Sequence, residues 1–315
     1  MIPNFRVFAG SSHPKLAESI CNHLDHPLGR VKRSRFKNGE IYVHYEDGLR
    51  NCDVYLIQTF SYPVNEHFVE LLIMIDAAKR ASARSVNVVV PYLGYSRQER
   101  KSAPREPISA KMVADVITTL GVNRVITLDL HSPAIQGFFN IPVDHLTALD
   151  LLSEYIKSKQ IHNPVIVSPD AGRAETAEKL ASHLDCPFSI MVKKRTAHNE
   201  ASITHIIGEV NDRTPIIIED IIDSGSTIIK VVEALIDRGS KDAYICATHP
   251  IFSESAIERL KHPNIKEIVV TDSIPLIQAC PDYLKVISVA SLLAQSIRIN
   301  MLGGSISSLF EIKSL

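Results

Sequence analysis

No apolar run in this 315-residue sequence reaches the roughly 18 residues that a membrane-crossing helix needs, so no membrane partner is expected. The N-terminus, "MIPNFRVFAGSSHPKLAESI", has no basic head followed by a long apolar core and therefore no visible secretory signal. Five cysteines, Cys21, Cys52, Cys186, Cys246 and Cys280, are scattered, odd in number and never spaced as CxxC. That excludes a disulfide framework or a thiolate zinc site and fits reduced, mostly buried thiols of a cytoplasmic protein. An excess of one charge is missing too. With 34 Lys and Arg against 35 Asp and Glu, the net charge of −1 gives no electrostatic case for a nucleic-acid partner. What remains is ordinary for a globular chain, 45% hydrophobic and 22% charged. The length calls for about two domains.

Apolar strands alternate with helical patterns along the whole chain. In the first half "RVFAG" precedes "HPKLAESICNHL", "DVYLIQTF" precedes "NEHFVELLIMIDAAKRA", and "SVNVVVPYL" precedes a basic loop and "SAKMVADVITTLG". The second half repeats the scheme with "PVIVSPD", "AETAEKLASHL", "TPIIIEDII", "STIIKVVEALIDRG" and "DAYICATHPIF". Such alternation predicts α/β architecture with mostly parallel sheets flanked by helices. The halves match in style, which predicts two similar domains, residues 1–146 and 147–315, the C-terminal tail of the second packing back on the first.

"IIIEDIIDSGSTI", residues 216–228, carries the most chemistry. Ile216 to Ile218 read as a strand buried on both faces. Acids that follow such a strand, Glu219, Asp220 and Asp223, are costly to bury unless something pairs with them. Ser224, Gly225, Ser226 and Thr227 then open a helical pattern. Successive N–H groups in a turn at a helix N-terminus form an anion cradle. The acids would repel that anion and must serve another part of the ligand, ribose hydroxyls or a divalent cation. A phosphorylated sugar satisfies both halves. "SGST" alone is more often a Ser-capped helix start; the acids on a buried strand decide for the ligand.

The stretch resembles the ribose-5-phosphate loop of type I phosphoribosyltransferases, with Glu219 for the usual first Asp. "SYPVNEHFVELLIMIDAAKRASA", "PYLGYSRQERK", "REPISAKMVADVI", "DLHSPAIQGFFNIPVDHL" and "VSPDAGR" extend the likeness. From "RVFAGSS" to "SISSLF" the chain resembles the ribose-phosphate pyrophosphokinase (PRPP synthetase) family, closest to its phosphate-activated, ADP-inhibited class. The resemblance implies two domains of phosphoribosyltransferase fold. It also implies transfer of the diphosphoryl group of ATP to ribose 5-phosphate with Mg²⁺, giving PRPP and AMP for nucleotide biosynthesis.

The same resemblance assigns residues. His131 in "LDLHSP" and Asp170 in "IVSPDAG" fall on metal positions. "MVKKRTAHNEAS" reads as a basic loop leaving a short strand; Lys193 and Arg195 fall on the catalytic Lys-x-Arg pair, Arg195 also reaching the sugar substrate. Phe36, Asn38, Gly39 and Glu40 in "RFKNGEIYV", with Arg97 and Gln98 in "YSRQER", fall on the ATP site. Asn-Gly is also an ordinary hairpin turn signal, and the turn would present the side chains beside it. In the family these two stretches come from different subunits, which implies a homo-oligomer, a hexamer built of dimers.

Arg50, Ser82, Arg105, Ser305, Ser307 and Phe310 fall on the allosteric phosphate and ADP site. Three departures stand out: Gly48 and Ser308 replace a Ser and a Tyr of that site, and Arg173 replaces the second Gly of a common "GG". A side chain at 173 is expected to crowd, or add charge to, the ribose-phosphate site. Two alternatives remain at this point, a non-catalytic regulatory paralogue and a nucleobase phosphoribosyltransferase.

Overall fold

The computed structural model of the chain describes residues 4–197, 200–277 and 280–309; for residues 193–197, 200–204 and 308 it describes the backbone alone. The chain divides into two compact units, one of residues 1–147, 273–275 and 288–315, the other of residues 148–272 and 276–287.

Unit 1 begins with β1 (Phe5–Ala9) and α1 (Pro14–Leu24), followed by a hairpin of β2 (Val31–Arg35) and β3 (Ile41–Tyr45). The chain returns to the main sheet with β4 (Asp53–Ile57), α2 (Val64–Arg80), β5 (Ser85–Val90), α3 (Ser109–Thr119), β6 (Arg124–Leu128) and β7 (Val143–Leu146). The strands of the main sheet lie in the order β1-β4-β5-β6-β7, every neighbouring pair parallel. Val86, Val88, Val89 and Val90 are fully buried. Asn87 between them is buried as well, and burial at consecutive positions suits a strand covered on both faces, where alternation would expose every second residue. The hairpin β2–β3 stands as a separate two-stranded sheet.

Unit 2 comprises α4 (Leu149–Ser158), β8 (Pro164–Ser168), α5 (Ala174–Leu184), β9 (Phe188–Ala197), β10 (Glu200–Ile207), β11 (Thr214–Ile222), α6 (Ser226–Ile236), β12 (Ala243–Pro250), a one-turn α7 (Ala256–Arg259), β13 (Ile265–Thr271) and β14 (Leu284–Ile287). The last helix, α8 (Ala290–Leu302), belongs to unit 1, where it packs on α1. Tyr55 of β4 donates to Asn300 Oδ1 of this helix at 2.5 Å.

The sheet of unit 2 runs β10-β9-β8-β11-β12-β13-β14. From β8 the chain moves outward to β9 and β10, then returns to place β11 on the other side of β8 and continues the opposite way. Right-handed crossovers in opposite directions put helices on opposite faces. The core agrees: Leu180 and Ala181 of α5 pack with Leu152 of α4 against Ile216 and Ile218, while Val231 and Leu235 of α6 pack with Leu260 against Ile217 and Ile245. Each of the Leu, Ile and Val side chains among these contributes about 1.5–3 kcal/mol when fully buried.

The sequence reading of residues 191–202 as a loop is corrected by the backbone. Residues 191–197 continue β9, which pairs antiparallel with β10, Lys193 opposite Ile203 and Arg195 opposite Ala201. Cross-strand pairing outweighs the breaker character of the local sequence, because strand formation depends on the partner more than on intrinsic preference.

The five cysteines are free. Burial pushes the Cys21 thiol up to about 11 and raises Cys186 and Cys246 as well, which makes them packing groups and not nucleophiles. Among the described residues no helix is long and apolar enough to cross a membrane.

Candidate active site

The reversal of strand order between β8 and β11 creates the crevice where open α/β sheets bind ligands, at the carboxyl ends of the strands. The two strands are parallel neighbours, Ile216 opposite Ile166 and Ile217 opposite Val167. The turns that follow them therefore emerge side by side. One carries Asp170; the other carries Asp223 to Thr227.

Strand β11 continues through Glu219 and Asp220 to Ile222, so the two acids belong to the strand itself. Asp220 is only 6% exposed. Gly225 is the N-cap of α6 and adopts φ +75°, the left-handed region in which a Cβ is strained. An added Cβ would also stand 3.0 Å from Leu260 Cγ. Ser226 and Thr227, both exposed, form the first turn of α6, whose N–H groups lack intrahelical acceptors. The Ser224 hydroxyl donates to Ser226 Oγ at 3.2 Å. The arrangement is a short backbone nest facing solvent beside a row of carboxylates.

Two neighbours of this turn carry no local signal in the sequence. Arg259 of α7 donates through Nη1 to the carbonyl of Ser224. Leu260 lies under Gly225. Both come from the segment after β12, distant in sequence and adjacent only once β12 pairs with β11.

On the β8 side, Asp170 caps a 3-10 turn over Ala171–Arg173, its Oδ1 accepting from the Gly172 N–H at 3.0 Å. Arg173 reaches across to Asp220, Nη2 to Oδ2 at 2.5 Å, with both side chains largely buried. The added charge expected at position 173 is present, and it pairs with one of the acids of β11.

In unit 1 the hairpin turn places Phe36 and Glu40 at the two ends of a tight loop, Phe36 N–H donating to Glu40 O and Gly39 N–H to Phe36 O, both at 2.9 Å. Gly39 takes φ +93°, and Asn38 Oδ1 accepts from the Glu40 N–H at 3.2 Å. Phe36 is 56% exposed, edge-on to Tyr42 with ring centroids 5.8 Å apart. An aromatic ring held this openly by a rigid turn is available to stack on a planar ligand.

Arg97 and Gln98 lie in the segment after β5, and His131 in the segment after β6. Because β5 and β6 are parallel neighbours, these segments leave the same sheet edge. Gln98 is tied to the start of α3 by Ser109 Oγ at 2.6 Å, while Arg97 is exposed. The turn carrying His131 is fixed by the Leu130 N–H donating to His145 Nε2 at 2.9 Å. The residues around Arg50 and Ser82 are joined by the Asn51 N–H donating to Ser82 O at 3.0 Å. Arg105 stands on the exposed stretch before α3, and Ser305 and Ser307 bond each other at 3.0 Å beside a final 3-10 turn. Phe310 and the side chains of Lys193, Arg195 and Ser308 lie outside the described residues.

A family model described as the N-terminal domain of ribose phosphate pyrophosphokinase matches residues 5–121, and one described as the phosphoribosyl synthetase-associated domain matches residues 168–311. The chain is 48% identical over 299 residues to a ribose-phosphate pyrophosphokinase of Oceanobacillus iheyensis, covering 93% of each chain. It is 46% identical over 311 residues to one of Fusobacterium nucleatum, covering 98% of each. Among solved structures, the phosphoribosylpyrophosphate synthetase from Mycobacterium smegmatis matches with a TM-score of 0.90 at 39% identity, over 96% of this chain and 100% of that one. With both models matched and relatives aligned along nearly its whole length, the chain belongs to the ribose-phosphate pyrophosphokinase family.

Proposed function

We infer that this chain transfers the diphosphoryl group of ATP to the C1 hydroxyl of ribose 5-phosphate, giving PRPP and AMP. Family membership supports the reaction; the crevice between β8 and β11, a backbone nest beside a row of acids, is the observation that carries its sugar half. The N–H groups and hydroxyls of Ser224, Gly225, Ser226 and Thr227 hold the 5-phosphate. Glu219, Asp220 and Asp223 accept hydrogen bonds from the ribose hydroxyls and orient C1. The C1 oxygen attacks the β-phosphorus, the bridging bond between the α- and β-phosphates breaks, AMP leaves, and the hydroxyl proton is lost.

Phe36 stacks on adenine, Asn38, Gly39 and Glu40 read its edge, and Arg97 and Gln98 hold the nucleotide from the other side. Where the hairpin and the Arg97 segment come from different subunits, each site needs a dimer, and a hexamer of dimers is the assembly proposed. Lys193 and Arg195 neutralise charge on the transferring group, and their closure excludes water that would hydrolyse ATP.

Mg²⁺ keeps several waters and is held by one or two carboxylates together with substrate phosphates. Among the described residues no group of three or more His, Cys, Asp or Glu side chains is gathered into a metal cage. Asp170, an oxygen donor, and His131 are the residues proposed to hold such an ion, directly or through the nucleotide phosphates. Bound there, it would offset the negative charge of the triphosphate. Phosphate and ADP act as effectors at Arg50, Ser82, Arg105, Ser305, Ser307 and Phe310, with a response weakened by Gly48 and Ser308.

The test is AMP release from ATP and ribose 5-phosphate with Mg²⁺ and no nucleobase. Stoichiometric AMP and PRPP support the reading. No AMP under these conditions, or AMP only when a second synthetase is added, would return the regulatory paralogue. A strict requirement for a nucleobase would return the phosphoribosyltransferase.

A further inference from the structure

The hairpin β2–β3 lies outside the main sheet of unit 1, so the ladder of that sheet does not fix its place. Near its base the Tyr45 hydroxyl donates to the Met74 carbonyl of α2 at 2.9 Å, and Arg33 Nη1 donates to the carbonyl of Ala9. Near the tip the tether is Arg35, the residue before Phe36, whose guanidinium pairs with Glu66 in the first turn of α2. That pairing holds the Glu66 carboxyl below the usual Glu range, chiefly through the hydrogen bond. The same turn of α2 carries a second tether. The Tyr95 hydroxyl donates to Asn65 Oδ1, and Tyr95 stands two residues before Arg97. Tyr95 takes φ +64°, a strained conformation for a bulky residue, which persists only where the surroundings over-determine it. Gly94 beside it packs closely on the approach to α2: an added Cβ would stand 2.9 Å from Phe60 Cβ and 3.2 Å from Val64 Cγ1.

We propose that the first turn of α2 is the common mount of the two ATP-binding segments, Glu66 setting the hairpin tip through Arg35 and Asn65 setting the Arg97 segment through Tyr95. The inference rests on the reading of residues 36–40 and 97–98 as the ATP site. The four side chains act through Phe36 and Arg97, so they are positioning residues. A stacking ring and a guanidinium bind best when each is held in place before the ligand arrives, since ordering them on binding costs affinity. Because Asn65 and Glu66 are consecutive on one helical turn, the spacing between the two tethers is set by the helix and not by either loop. Where the two segments of one chain serve different sites of a dimer, the mount acts on both.

The experiment measures KM for ATP, KM for ribose 5-phosphate and kcat for the parent enzyme, Arg35→Gln, Glu66→Gln, the double variant, Arg35→Lys and Tyr95→Phe. The Arg35 and Glu66 side chains are 55% and 42% exposed, so losing their pair should raise KM for ATP by about 2–5-fold. The rise should be equal in the two single Gln variants and no greater in the double, because either change removes the same contact. Tyr95→Phe, which removes one hydrogen bond, should raise KM for ATP by about 2–10-fold. Arg35→Lys, which keeps the charge, should stay near the parent value, and KM for ribose 5-phosphate should be unchanged throughout. A merely structural role would lower the melting temperature without splitting the two KM values. An unchanged KM for ATP in either Glu66→Gln or Tyr95→Phe would overturn the common mount. So would an Arg35→Gln effect that exceeds that of Glu66→Gln and adds to it in the double variant, since Arg35 would then touch the nucleotide itself. Phe36→Ala and Arg97→Ala in the same assay test the underlying reading separately. If neither moves KM for ATP, the ATP-site assignment falls and the mount with it; if both do while Glu66→Gln and Tyr95→Phe do not, the mount alone falls.

Discussion

In unit 2 the chain reverses its course across the sheet between β8 and β11, whereas in unit 1 the strands β1, β4, β5, β6 and β7 follow one another in a single direction. The connections differ in the same sense. Only residues 223–225 separate β11 from α6, while residues 91–108 separate β5 from α3. A short strand-to-helix turn presents its backbone N–H groups together with short side chains, and Gly225 at φ +75° is what the turn requires. A long connection delivers side chains, here Arg97 and Gln98. Similar strand–helix alternation thus yields a backbone nest in one unit and a side-chain surface in the other, and the proposed function divides the two substrates accordingly.

The largest effect is expected at the pair proposed to neutralise charge on the transferring group. Lys193→Ala or Arg195→Ala should lower kcat by about 10²–10³-fold, the usual effect of losing one well-placed charge-stabilising donor, with far less change in KM for ribose 5-phosphate. Steady-state kinetics check this; near-normal kcat in both variants would remove them from the reaction.

Next in size is Gly225→Val, which forces a β-branched residue to positive φ and towards Leu260. Strain of about 1–3 kcal/mol at the turn corresponds to roughly 5–150-fold weaker ribose 5-phosphate use. KM for ATP should move little if the backbone cradle serves the sugar phosphate alone. A smaller effect, about 3–10-fold in the same KM, is expected for Arg259→Met, because a lost charge-assisted hydrogen bond to the Ser224 carbonyl loosens the turn without removing its N–H groups. Fluorescence or calorimetric binding of a nucleotide should be unchanged in both.

The smallest effect belongs to the far edge of unit 1. Arg84 pairs with Asp53 at the start of β4 and holds its carboxyl below the usual Asp range, chiefly through the hydrogen bond. A depressed carboxyl contributes stability above its unfolded value, near 3.9, and loses it as pH falls through the folded value. Arg84→Ala should flatten the fall in melting temperature on the acid side of pH 5 and leave both KM values alone. A changed KM would show that unit 1 couples its sheet edge to the site.

How much of this was legible in the sequence varies with the range of the interaction. The run Ile216–Ile218, the acids after it and the Gly225 turn are local patterns, and strand, acids and helix start stand where the periodicity puts them. Position 173 was half legible: an added charge is visible in the sequence, but its partner Asp220 is known only once β8 and β11 lie side by side. Arg259 was not legible at all, since nothing in "AIERL" points to Ser224 before β12 brings the two together. Residues 191–202 misled for the opposite reason, their charged and polar character masking a pairing that β10 supplies.

The position of ribose 5-phosphate is the central claim, and a crystal structure of the complex tests it most directly. The expected complex has the 5-phosphate within hydrogen-bond reach of the N–H groups of residues 224–227, with ribose hydroxyls on Asp220 and its neighbouring acids and Arg173 still on Asp220 Oδ2. A sugar bound elsewhere, or one whose hydroxyls lie beyond a bridging water's reach of Glu219, Asp220 and Asp223, would contradict it.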